Sequence, residues 1–138
     1  MAGGHVFQVD ERVAPARHTN RHLTHVRGSL LVDCSLPPDQ LYPMPVESPE
    51  LKAAAGQYAK KLRETAGEPS IIDLVHLGLG PDGHTASLVP DDPVLDVKDA
   101  DVALSGLYQG RRWMTLTYPI LNRSRSILWV VTAAEKRW

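Results

Sequence analysis

An apolar run, IIDLVHL (Ile71–Leu77), leads straight into a loop that sets Gly78-x-Gly80-x-x-Gly83 at fixed spacing. A strand ending in a glycine turn is the opening of a strand–helix unit, and it constrains the chain more than any bulk property. The flanking segments agree. HVFQV (His5–Val9) alternates polar and apolar residues and predicts a strand ending at DER (Asp10–Arg12). TNRHLTHVRGSLLVDC places Leu23, Val26, Leu30 and Cys34 at helical spacing, with Gly28 counting against that helix. LPPDQLYPMPVESP holds five prolines in fourteen residues and predicts an irregular connection. Ser48 followed by Pro49 predicts a helix start, and Leu51, Ala54, Ala55, Tyr58, Ala59 and Leu62 form one apolar stripe ending near Gly67. IIDLVHL predicts a buried strand interrupted by Asp73, which if buried requires a hydrogen-bonding partner and is expected to be structural. DVALS, WMTLT and SILWVVT are further strand candidates, with YPILNRS a short helix or turn between the last two. Strands alternating with helical segments predict an α/β fold with an at least partly parallel sheet. A parallel sheet needs both faces covered. The chain opens almost directly on a strand and stops just after another, so it is expected to be the middle of a larger domain.

Composition narrows the function classes. The 138 residues are 43% apolar, which suits one modest domain. Lys and Arg number 15 against 16 Asp and Glu, for a net charge of -1, so no nucleic-acid or membrane partner is expected. The basic pairs Arg111-Arg112 and Lys136-Arg137 are in proportion to a single phosphate. The lone Cys34, the absence of a long apolar run and a start without a signal-peptide core predict a soluble cytoplasmic protein.

The glycine spacing suggests a dinucleotide fingerprint, but its context does not. Pro90 follows Gly83 by only seven residues, and PDDP (Pro90–Pro93) ends any helix there. Asp101 lies near the distance of a ribose-binding carboxylate, yet GPDGH puts a proline and an aspartate where backbone should approach phosphate. What the loop offers instead is a tight turn at a strand's C-terminal end, projecting Asp82 and His84 two residues apart. A carboxylate beside an imidazole can hold one tautomer for acid–base work, although a turn Asp and a helix-capping His would look the same.

LGLGPDGHTASLVP resembles the signature loop of the 6-phosphogluconolactonase family, which shares its fold with glucosamine-6-phosphate isomerases. VDERVAP (Val9–Pro15), TNRHLTHVRGSLL, LTYPILN (Leu116–Asn122) and VTAAEKRW (Val131–Trp138) agree in the family's order, with mild departures at Ala14, Thr19-Asn20 and Ala134. The resemblance implies a Rossmann-like open, mostly parallel sheet with helices on both faces, like the phosphosugar isomerases and CoA transferases. It implies one domain over residues 1–138 that lacks the family's N-terminal Ser-Gly-Gly-type phosphate loop and its C-terminal helix and strand. The implied reaction is hydrolysis of 6-phosphoglucono-δ-lactone, with a phosphosugar lactone as ligand and no metal or organic cofactor. His84 is then the general base and Asp82 its orienting partner. Arg12 and Lys136 face the substrate phosphate, and backbone N–H groups around Gly78, Gly80 and Gly83 are candidate oxyanion donors. Asp10 matches a catalytic carboxylate of the isomerase relatives and is read here as structural or sugar-facing.

Other readings stay open. Arg12 could be a surface ion pair, Lys136 could lie near a helix end, and Arg112 could approach substrate or pair with an acid. His18, His22 and His25 would put three imidazoles on one helical face, as some zinc sites do. No Glu follows the first His as in metalloprotease motifs, and Leu23 and Val26 indicate ordinary amphipathic packing. The rival functions are an amino-sugar-phosphate isomerase/deaminase, which typically carries Asn-Glu-Pro where this chain has Ser87, Leu88 and Val89, and a non-catalytic sugar-phosphate-binding protein.

Overall fold

The structure is a computed structural model that describes residues 4–15, 18–19, 21–29 and 31–132. Strands β1 (Val6–Phe7) and β2 (Asp10–Arg12) are followed by helix α1 (His22–Ser29), strand β3 (Leu41–Tyr42) and helix α2 (Leu51–Ala66). Strands β4 (Val75–Leu77), β5 (Val102–Leu104) and β6 (Trp113–Leu116), helix α3 (Tyr118–Arg123) and strand β7 (Ile127–Trp129) complete the order. β1 pairs in parallel with β3, and β4 in parallel with β7. β2, β6 and β5 form a third, antiparallel sheet.

The α/β alternation and the open, mostly parallel arrangement hold, two of the three sheets among the described strands being parallel and the third antiparallel. β5 and β6 are joined by only eight residues, closed at Tyr108 and Arg111 by mutual backbone hydrogen bonds of 2.9 and 3.2 Å. So short a link can join only antiparallel neighbours. β3 lies inside the proline-rich stretch expected to be irregular, between the prolines at 38 and 43.

α2 is where sequence pattern and structure agree most closely. Ala54, Ala55, Tyr58, Ala59 and Leu62 are all buried on one face. They share a core with Val75, Leu77, Met114, Leu116 and Ile120. Tyr58 also ties the first parallel pair to the helix, its hydroxyl donating to the carbonyls of Gln8 at 2.9 Å and Tyr42 at 3.1 Å. The helix ends at Gly67, whose φ of 90° suits a residue without Cβ. Its start is two residues later than expected. Ser48 accepts the Glu50 N–H at 3.2 Å in a local turn, and Glu50, not Ser48, holds the cap position.

IIDLVHL also changes. Only Val75–Leu77 are strand, and Asp73 lies before it on the surface, paired with Arg125 at 3.1 Å. No helix among the described residues is long and apolar enough to cross a membrane.

Candidate active site

β4 delivers the chain into a loop that folds back on itself. The Gly80 N–H donates to the His84 carbonyl at 2.8 Å, and the Gly83 N–H to the Gly80 carbonyl at 3.0 Å. The Thr85 hydroxyl donates to the Gly78 carbonyl at 2.8 Å. Residues 84–90 form turns and no helix, so neither a dinucleotide helix nor a helix cap by His84 exists there. Asp101, the candidate ribose carboxylate, is held by the Arg123 guanidinium through two 2.8 Å bonds.

The fold-back brings Asp82 and His84 together. Asp82 Oδ1 meets His84 Nδ1 at 2.6 Å and accepts the His84 backbone N–H at 3.1 Å. The imidazole bond, ahead of every other influence, holds the Asp82 carboxyl below its ordinary range. An ionised carboxylate only accepts, so Nδ1 carries a proton, and in the neutral imidazole this tautomer leaves the lone pair on Nε2. The pair can therefore work as an oriented base.

This arrangement needs Gly80. A Cβ there would overlap the His84 ring and lie 2.9 Å from Asp82 Oδ1. Gly83 needs its missing side chain for backbone reasons, with φ at 90°, whereas a Cβ at Gly78 would make only an ordinary 3.8 Å contact with the Val130 carbonyl. The N–H groups of Gly80 and Gly83 are engaged inside the turn.

His84 borders a cleft of about 420 Å³ that Asp10, Arg12, His22, Tyr108 and Trp113 also line. Strand alternation explains the first two. Asp10 and Arg12 project from one face of β2, opposite Thr115 and Trp113 of β6, while Glu11 points to the other face and is fully buried. The Arg12 guanidinium sits over the Trp113 ring, 4.8 Å from its centre, in a cation–π contact. Asp10 accepts the Ser87 hydroxyl at 2.8 Å and faces His22 Nδ1 at 3.2 Å. Asp10 raises the His22 pKa, with burial opposing it. Both Asp10 oxygens are thereby partnered.

Of the expected site residues, the structure brings His84, Asp10 and Arg12 to one cleft, with Asp82 hydrogen-bonded to His84. Gly78, Gly80 and Gly83 shape its loop. Lys136 lies outside the described residues. Arg112 is exposed, and its carbonyl accepts the Val13 N–H at 3.0 Å. The three histidines do not share a helical face. α1 begins at His22, and the His18 carbonyl instead accepts the Arg21 N–H at 2.9 Å in the preceding turn. Among the described residues no group of three or more His, Cys, Asp or Glu could hold a metal.

Sequence reasoning missed Tyr108, Trp113, Ser87 and the site role of His22. Gln109-Gly110 between two apolar runs was a usable hairpin signal for Tyr108. Trp113 could be found only from the β2–β6 register.

Comparison with known proteins places this geometry. The family described as glucosamine-6-phosphate isomerases/6-phosphogluconolactonase matches residues 2–138. The chain is 39% identical over 132 residues to a 6-phosphogluconolactonase of Homo sapiens, covering 92% of this chain and 50% of that protein. It is 35% identical over 137 residues to one of Synechocystis, covering 96% of this chain and 57% of that protein. The solved structure of a 6-phosphogluconolactonase from Trypanosoma brucei superposes with a TM-score of 0.82 at 28% identity, over 96% of this chain and 59% of that one. The chain thus spans about half the length of the curated relatives it matches. On a match that runs almost from end to end, the chain belongs to the glucosamine-6-phosphate isomerase/6-phosphogluconolactonase family.

Proposed function

We propose that the cleft hydrolyses a phosphosugar lactone, 6-phospho-D-glucono-1,5-lactone, to 6-phosphogluconate, the second step of the oxidative pentose phosphate pathway. The observation that carries this reading is the 2.6 Å bond between His84 Nδ1 and Asp82, which leaves Nε2 as a base beside an open cleft. Nε2 takes a proton from water as the water oxygen adds to the lactone carbonyl carbon. The tetrahedral adduct collapses by breaking the bond from that carbon to the ring oxygen. The imidazolium returns the proton to that oxygen, so charge and atoms balance. Arg12 and Lys136 hold the phosphate, with Arg12 backed by the Trp113 indole. A lactone is an activated ester, so no metal or organic cofactor enters the scheme. The lone, exposed Cys34 suits a reducing compartment, and we place the reaction in the cytoplasm.

The isomerase/deaminase reading is weaker on one observation. Aldose–ketose chemistry needs a carboxylate free to abstract a carbon-bound proton. Asp10, which matches that position, has one oxygen on Ser87 and the other on His22. Assay of the purified protein against both substrates tests the choice. Lactone opening above the spontaneous rate, with no ammonia released from glucosamine 6-phosphate, is expected. Ammonia release would overturn the reading in favour of the isomerase class. Phosphosugar binding without any turnover would overturn it in favour of a binding protein.

A further inference from the structure

Asp82 has two oxygens, and the dyad uses only one. The other, Oδ2, accepts the Tyr108 hydroxyl at 3.3 Å, and the Tyr108 ring meets the His84 imidazole edge to face with centres 5.4 Å apart. We propose that Tyr108 is a positioning residue for His84, holding Asp82 so that Oδ1 alone meets Nδ1 and the imidazole presents Nε2 to the cleft. The proposal rests on the hydrolytic reading of the dyad.

Three observations support it. The Asp82 side chain is 39% exposed, and the last torsion of an aspartate has broad, shallow preferences; both bonds from His84, ring and backbone, fall on Oδ1, so nothing from His84 holds Oδ2 against rotation toward water. A second donor on Oδ2 removes that freedom. Tyr108 is itself rigidly carried, because it opens the turn that closes on Arg111, with Gln109 and Gly110 both left-handed at φ 54° and 75°. The Tyr108 carbonyl also accepts the Trp113 indole N–H at 3.1 Å, which locks this turn to the ring beneath Arg12. One hairpin thereby connects the base to the cation. Burial and the Asp82 charge push the phenol's pKa up, so it remains a donor at neutral pH.

The test is Tyr108→Phe, which keeps the ring and removes the hydroxyl, in the complete protein. Loss of one hydrogen bond to a charged group predicts a fall in kcat of about tenfold, with KM within about twofold and an unshifted thermal midpoint. A kcat within about twofold of the parent would overturn the proposal. NMR of the His84 ring supplies a readout that needs no turnover. The Nδ1–H proton, expected to be observable in the parent, should broaden or vanish through exchange in the variant, and its persistence unchanged would overturn the proposal. Should the parent open no lactone, the hydrolytic reading falls, and the NMR result alone decides what Tyr108 does.

Discussion

At Gly80 the missing side chain is what lets a base exist. The imidazole of His84 occupies the space a Cβ would fill, while the Gly80 N–H pins the His84 carbonyl at 2.8 Å. Gly80→Ala should therefore push the ring off Asp82 without touching the core. The expected outcome is a kcat lower by about a hundredfold, the low end of what a lost general base removes, with a thermal midpoint close to the parent's. Unchanged turnover would mean that His84 does not need this position. Sequence gave access to part of this scale. Asp82 and His84 are two residues apart, so a local reading could pair them. Tyr108 is 26 residues from Asp82 and Ser87 is 77 from Asp10, and those contacts exist only once strands pair.

Helix α1 shows how an element can be held by a residue remote in sequence. It has no acidic residue in its first turn. Its N-terminal donors are met by Glu11 of β2, which accepts the N–H groups of His22 and Leu23, each at 2.8 Å. Arg21 pairs with the same carboxylate at 3.1 Å, both side chains being almost fully buried. Because α1 carries His22 and β2 carries Asp10 and Arg12, this buried pair sets one wall of the cleft. Arg21 also pairs with Glu47 at 2.6 Å, so Glu11→Gln should destabilise the protein by about 2 kcal/mol in denaturant unfolding, through weakened charge-assisted bonds to Arg21 and to the α1 N–H groups. The pH dependence has a definite sign. Burial alone would raise the Glu11 pKa, but the Gln8 amide and the backbone N–H groups of Leu23, His22 and Arg12 bring it below the ordinary value. Its stabilisation is thus complete above the unfolded carboxyl pKa and is lost as pH falls through the lowered folded one. Glu11→Gln should flatten that acid limb of the stability profile, and an identical limb in the variant would exclude Glu11 as its source. The α2 stripe was legible because its burial follows its own periodicity. The α1 cap was not, because its acceptor lies 11 residues upstream on a strand. β3 was hidden by flanking prolines, which mark irregular chain more often than a two-residue edge strand.

For the molecule as a whole, the cleft forms where the antiparallel sheet, the loop after β4 and the β5–β6 turn meet. Strand–helix alternation predicted the α/β class, but the antiparallel sheet that presents Asp10, Arg12 and Trp113 on one face arises from a short hairpin link that period counting does not reveal. β7 leaves Leu128 and Trp129 each 49% exposed, with Val130 at 46% beside them. The chemistry gathers instead around the glycine loop, and the whole account turns on one imidazole. Its most direct test is lactone hydrolysis by His84→Ala in the complete protein, corrected for the fast uncatalysed reaction. The account predicts a loss of roughly 10²–10⁴-fold with the fold intact. Activity within about threefold of the parent, far short of what a general base contributes, would contradict it.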